Sequence, residues 1–141
     1  MPTQPTERTL IMIKPDGVSR CLVGRIIERF ELADFRLIAM RFATMPEATM
    51  REFYREHEGK PFYESLVRVM SSGPVAMLAF ERDDAVARAR QLVGQTNPAD
   101  AAPGTIRADF GLNGQQNTVH ASDSPASAER ELRLMLPEAL H

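Results

Sequence analysis

The apolar residues of this chain fall into two kinds of run, and their alternation limits the folds open to it. Leu10-Ile11-Met12-Ile13 and the stretch from Val75 to Phe80 are short and continuous, as in buried strands. Between them, apolar residues recur at helical spacing. Leu22, Val23, Ile26, Ile27, Phe30 and Ala33 make one helix face, while Arg25, Glu28 and Arg29 fall elsewhere. Phe35 to Phe42 reads as a second strand. Thr44 and Glu47 fit a capping box for a helix running to about Glu58. Pro61 suits the first turn of another helix, with Phe62, Leu66, Val69 and Met70 along it. Ser72-Gly73-Pro74 is a break before the third strand. Asp83 is placed to cap a helix that points Val86, Ala89, Leu92 and Val93 inward and stops at Gly94.

Residues 94–117 are rich in Gly, Asn, Pro and Asp and too long for a plain connection, which marks them as a functional loop. Thr118 to His120 reads as a short last strand. Ser124 and Pro125 then open a final helix as N-cap and first residue. The order β-α-β-α-α-β-α-loop-β-α calls for an α+β or α/β sandwich over one small sheet. Pattern alone leaves parallel and antiparallel pairing open.

With 141 residues, 43% hydrophobic and 26% charged, the chain is expected to form one domain over residues 1–141, with 1–7 as a flexible lead. A net charge of −2 gives no general attraction to nucleic acid or anionic membranes. The first residues lack an apolar signal region, and the longest apolar run falls well short of the ~20 residues that span a bilayer. Cys21 is alone, so no intrachain disulfide forms, and it reads as a small residue near a helix start. A cytoplasmic location is expected.

Of the three histidines, His141 is terminal and His57 sits late in a polar helical segment, where solvent exposure is the default. His120 lies at a strand-to-helix junction among small residues, beside a helix N-terminus that favours anions. A neutral imidazole there can act as a nucleophile. Arg88, Arg90 and Arg107 bracket Thr96 and Gly104-Thr105-Ile106, and guanidinium groups suit phosphate oxygens. Lys14 closes the first strand; alone, it would read as a solvated strand-end lysine. The chain has no phosphate-binding G-x-x-x-x-G-K-[ST] loop, no G-x-G-x-x-G and no zinc-spaced Cys/His set.

Five segments in order then make a pattern. They are Ile13-Lys14-Pro15-Asp16-Gly17-Val18, Ser72-Gly73-Pro74-Val75, Gly94-Gln95-Thr96-Asn97-Pro98-Ala99-Asp100, Pro103 to Phe110, and Asn117-Thr118-Val119-His120-Ala121-Ser122-Asp123-Ser124. Together they resemble the nucleoside diphosphate kinase family, from about Glu7 to Leu136. The resemblance implies a ferredoxin-like α+β sandwich with a four-stranded antiparallel sheet. It implies ping-pong transfer of the γ-phosphate of a nucleoside triphosphate, such as ATP, to a diphosphate such as GDP. The carrier would be a pros-phosphohistidine at His120.

By the same resemblance, Lys14 and Asn117 match positions that hold the ribose 3′-hydroxyl, and Phe62 matches the aromatic on which the base stacks. Spacing alone would put Phe62 in the core. Arg90, Thr96 and Arg107 match phosphate-binding positions, with His57 on the phosphate side in some bacterial members. Tyr54 and Glu131 match a pair near the catalytic histidine, Glu131 orienting its ring and Ser122 helping. Asp123 would hold Mg²⁺ through water, the metal riding mainly on nucleotide phosphates. Homo-oligomers built from dimers, tetramers or hexamers, are implied; neither a membrane nor sequence-specific nucleic acid is. Two positions depart from the family: Ala121 replaces a glycine after the histidine, and Gly114 stands where many members place an aliphatic residue against the base. The alternatives are an inert nucleotide-binding module and a hydrolase using His120, Ser122 and Asp123.

Overall fold

Strand β1 (Thr6–Ile13) is the element around which the others assemble. It is followed by α1 (Pro15–Ser19), α2 (Val23–Leu32), β2 (Arg36–Thr44), α3 (Glu47–Phe53) and α4 (Tyr63–Met70). Then come β3 (Pro74–Asp83), α5 (Ala85–Val93), α6 (Ile106–Phe110), β4 (Val119–Ala121) and α7 (Pro125–Met135). The computed structural model describes residues 6–114 and 116–140. The strands form one sheet in the order β2-β3-β1-β4, and every neighbouring pair is antiparallel. This is the expected ferredoxin-like α+β arrangement.

The continuous apolar run of β1 has a direct cause. Successive strand residues face opposite sides of a sheet, and here both sides are covered. Leu10 and Met12 pack with Met50, Phe53, Met70 and Leu132 under α3, α4 and α7. Ile11 and Ile13 pack with Ile26, Phe30, Phe80 and Ala89 under α2 and α5. On the latter face, the Phe30 and Phe80 rings stack at 4.7 Å, with Phe35 edge-on to Phe30 at 5.2 Å.

Several local signals are realised as read. Ser124 Oγ accepts from Ser127 N at 3.1 Å, with Pro125 in the first turn of α7. Gly94 ends α5 at φ 92, ψ −176, a conformation open essentially to glycine. Cys21 is exposed and free.

Other elements differ from the reading. The capping box at Thr44 and Glu47 does not form, because Thr44 is still paired in β2 and Pro46 takes the N-cap position without a side-chain cap. Proline disfavours helical geometry in the residue before it, so α3 starts only at Glu47. It ends at Phe53, short of Glu58, and a 3-10 turn covers Arg55–His57. Pro61 lies in the turn closed by Tyr63 N to Lys60 O, and α4 begins after it. Asp83 does not cap α5, since β3 runs through it; Val86 N instead donates to Glu7 Oε1 at 2.7 Å. Residues 6 and 7, assigned to the lead, therefore open β1, while 1–5 and His141 lie outside the described residues. The long loop contains α6, capped by Thr105 Oγ1 accepting from Ala108 N. The last strand is shifted one residue, to Val119–Ala121. Among the described residues no helix is long and apolar enough to cross a membrane.

Gly94 is the sharpest steric requirement at this end of the fold. A Cβ there would sit 2.6 Å from Thr105 Oγ1, on a backbone that L side chains rarely adopt. Gly94→Ala is expected to cost about 3 kcal/mol in urea unfolding; a loss below about 0.5 kcal/mol would contradict this account of the turn.

Candidate active site

A cleft of about 480 Å³ opens where the ends of β1 and β4 meet the helical hairpin α3–α4. The sheet supplies Lys14 and His120. The hairpin supplies Tyr54, His57 and Phe62. The opposite wall is Arg90 of α5, Arg107 of α6 and the segment carrying Thr96, Gly114 and Asn117, with Asp123 at the turn into α7. The residues singled out from the sequence thus converge, with three exceptions: Ser122 and Glu131, which stand behind His120, and Arg88, which faces away.

His120 is fixed from two sides. Antiparallel pairing sets it opposite Met12. Its Nε2 lies 2.8 Å from Glu131 Oε1, which also accepts from Ser122 Oγ at 2.8 Å. Burial alone pushes the Glu131 carboxyl up, but the hydrogen bonds from His120 and Ser122 outweigh it and hold the group below the usual carboxylate value. A carboxylate accepts a hydrogen bond, so Nε2 carries a hydrogen, and in the neutral ring the lone pair is then on Nδ1. Among the described residues Nδ1 has no hydrogen-bond partner. Phe53 packs edge-on against the ring at 4.9 Å and Tyr54 at 6.3 Å. Such contacts limit its rotation.

The cations of the cleft are held under tension. Lys14 is buried, not solvated, and its ammonium is lowered to about 8 by burial and by the charge of Arg107. Arg107 is also buried, and its Nη atoms donate to Gly94 O and Val119 O, both at 2.9 Å. It is lowered to about 10 by burial and the nearby Arg90. Arg90 pairs with Asp123 at 2.6 Å. An anion entering here would relieve repulsion among three cations. Arg88 is not part of the set: it faces Asp83, 3.7 Å away. Two residues along a helix turn it about 200° from Arg90.

At the outer end, Phe62 is 45% exposed and 5.3 Å from the His57 ring, so it lies at the cleft mouth and not in the core. Gly114 lies on the other wall, and a Cβ there would meet nothing within 4 Å. Asn117 donates from Nδ2 to Thr96 O at 2.9 Å and to Gly114 O at 3.2 Å, while its buried Oδ1 has no partner among the described residues. Tyr54 is buried with its hydroxyl likewise unpartnered there, and burial pushes the phenol far up. His57 lies between Tyr54, stacked on it at 6.2 Å, and Phe62, tilted to it, and is only partly exposed, contrary to the solvent-facing default.

Sequence reasoning missed Phe53, Glu56 and Leu66 as lining residues. All sit on the hairpin, and only the adjacency of Phe53 to Tyr54 hinted at one of them. It also missed that Thr118 has φ 78 while fully buried. A β-branched residue there is strained by about 1–3 kcal/mol.

Ser122 is fully buried and donates to Glu131, away from the cleft. It cannot serve as a hydrolytic nucleophile in this arrangement. Among the described residues no group of three or more His, Cys, Asp or Glu is placed to cage a metal.

Comparison with known proteins agrees with this fold. The family model for nucleoside diphosphate kinase matches residues 7–140. A nucleoside diphosphate kinase of Bacillus licheniformis is 50% identical over 132 residues, 94% of this chain and 89% of that one. One from Methanocaldococcus jannaschii is 46% identical, covering 94% of both. Among solved structures, the Aquifex aeolicus nucleoside diphosphate kinase superposes with TM-score 0.91 at 39% identity, over 94% of this chain and 96% of that one. The Halobacterium salinarum enzyme, solved with CDP, also gives 0.91, at 42% identity over 94% and 88%. The chain belongs to the nucleoside diphosphate kinase family.

Proposed function

We propose that the cleft performs the family's phosphate exchange with His120 Nδ1 as the carrier atom. The carrying observation is the 2.8 Å bond from Nε2 to Glu131, which makes Nδ1 the lone-pair nitrogen of the neutral ring, beside the cluster of Lys14, Arg90 and Arg107. The Nδ1 lone pair attacks the γ-phosphorus of a nucleoside triphosphate, and the bond to the β–γ bridging oxygen breaks. The diphosphate leaves. A terminal phosphate oxygen of a second nucleoside diphosphate then attacks the same phosphorus, and the N–P bond breaks. Two easier displacements replace one between two polyanions.

The chain's residues divide the work. Glu131 stabilises the positive charge that grows on the imidazole, and Ser122 fixes Glu131. Arg90, Arg107 and Thr96 hold phosphate oxygens; such positioning and charge stabilisation supply most of the catalysis in phosphoryl transfer. Arg90 must exchange Asp123 for phosphate to do so, freeing the carboxylate. Lys14 and the open acceptor Oδ1 of Asn117 contact the ribose 3′-hydroxyl, and Tyr54 packs the histidine. His57 lies on the phosphate side. Phe62 stacks on the base, with little selection among bases because each has a π-face. Among the described residues the donors make no cage for a metal, so Mg²⁺ would be carried on the nucleotide phosphates, with Asp123 the residue to hold it through water. When bound, it would neutralise charge on the β- and γ-phosphates.

A homo-oligomer built from dimers goes with this reading. Strand β2 is an open sheet edge with Met40 and Phe42 half-exposed, a surface proteins commonly cover. We place the protein in the cytoplasm, with nucleoside di- and triphosphates as its small-molecule partners.

Three outcomes are expected. With γ-labelled ATP and Mg²⁺, label should appear on the protein, survive alkali but not acid, and chase onto GDP. His120→Ala should lose the label and at least about 10⁴-fold in turnover; a folded wild type that binds ATP without labelling would leave only a binding module. Second, nucleotide polyphosphate should raise the lowered Lys14 ammonium. Binding of ADP at pH near 8.5 should then take up protons, and at pH 6.5, where Lys14 is already charged, uptake from this group should vanish. Calorimetry in buffers of different ionisation enthalpy measures it, and an uptake independent of pH would contradict the assignment. Third, Gly114→Val should add a second wall for the base and tighten GDP binding about five-fold. Unchanged or weaker binding would place the base elsewhere.

A further inference from the structure

Asp16 lies behind the cleft, on the one-turn helix α1, and no step above uses it. Its buried Oδ2 accepts from Thr118 Oγ1 at 2.9 Å, and Arg20 Nη1 stands 3.6 Å from the same oxygen. The Thr118 hydroxyl and Arg20 both also reach the carbonyl of Phe110, the last residue of α6. Three segments distant in sequence therefore meet at one carboxylate. They are the turn after β1, the end of α6 and the entry to β4.

What they hold is strained. Thr118 is fully buried at φ 78, where a β-branched residue persists only if its surroundings enforce it. Lys14 N donates to Thr118 O at 2.8 Å. Gly17 permits the approach: a Cβ there would sit 2.9 Å from Thr118 Cγ2 and 2.8 Å from Ile13 Cγ2. Asn117 is the next residue up the chain, and among the described residues its side chain is anchored only to carbonyls of the same long segment, Thr96 and Gly114. His120 has independent supports in its pairing with Met12 and its bond to Glu131. Loosening this turn should thus disturb Asn117 far more than His120.

We propose that Asp16 is a positioning residue for nucleotide binding, its carboxylate holding, through the Thr118 hydroxyl, the strained turn that presents Asn117 to the cleft. The inference rests on the reading of Asn117 as a nucleotide contact. Asp16 positions Asn117 through Thr118 and touches neither nucleotide nor His120; its charge also favours the Lys14 ammonium, so GDP affinities are compared at pH 6.5, where Lys14 is charged.

The test separates binding from chemistry. GDP affinity is measured by calorimetry on the unphosphorylated protein, and chemistry by the rate of His120 labelling at saturating ATP. Asp16→Ala and Thr118→Val should each weaken GDP about ten-fold, the magnitude of a lost buried hydrogen bond to a charged group. The double variant should be no weaker than Thr118→Val alone, because the contact to Asp16 is already gone in that variant. Labelling at saturation should stay within about three-fold of wild type. Asp16→Asn keeps an acceptor for the hydroxyl and should restore GDP binding. Wild-type GDP affinity in folded Asp16→Ala, equal losses in affinity and labelling, or no rescue by Asn would each overturn the proposal. If Asp16→Ala does not fold, Thr118→Val decides alone, and normal GDP affinity in that variant overturns it. A wild type that neither labels nor binds GDP would instead defeat the reading of the cleft itself.

Discussion

From Thr9 to Ile13 strand β1 has no solvent side, and most of the structure follows from that constraint. Its residues from Leu10 to Ile13 are fully buried, alternately under α3, α4 and α7 and under α2 and α5. Each buried side chain of this size is worth roughly 1.5–3 kcal/mol, so register on this strand is strongly specified. It sits between β3 and β4 in the sheet, which makes it the ruler for both. The histidine is placed opposite Met12 by this ruler. Lys14 lies one residue past its end, buried in the wall of the cleft. The reacting end of the proposed site is thereby built on a strand buried on both faces, while the residues proposed to touch the nucleotide's outer parts come from the hairpin and the long segment.

The electrostatics carry the same division. Behind the histidine, Glu131 and Ser122 form a small satisfied network that fixes the ring and its tautomer. In front of it, Lys14, Arg90 and Arg107 are cations set close together, two of them buried and both shifted toward the neutral form. Such a cluster is costly without an anion, and the cost is recovered when a polyphosphate binds. The pattern is that of a site organised for a substrate it does not yet hold. Strain at Thr118 belongs to the same design: a locally unfavourable backbone is tolerated because α1 and α6 close on it.

Much of this was legible in the sequence where the signal was local. Ser124-Pro125 and Gly94 act through their own backbone geometry, and both behave as read. The sheet order was not readable from pattern, because period and length do not distinguish parallel from antiparallel partners. Asp83 misled because the first turn of α5 takes its cap from Glu7, 79 residues earlier. Thr44 and Glu47 misled because Pro46 between them fixes where the strand stops. Arg88 and Arg90 look alike in sequence, and only the helix sends one to Asp83 and the other to the cleft. Lys14, Phe62 and Asn117 carried little weight singly; five ordered segments, matched to a family, made them a set. The Asp16–Thr118 bond joins residues 102 positions apart and had no sequence signal at all.

The central claim is that Glu131 holds Nε2 of His120 and so directs phosphate to Nδ1. Phosphorus–nitrogen NMR on protein labelled with ¹⁵N-histidine, after incubation with ATP and Mg²⁺, tests it most directly. The phosphorus should couple to Nδ1 of His120, with Nε2 still protonated. Coupling to Nε2, or to a nitrogen of another histidine, would contradict the account.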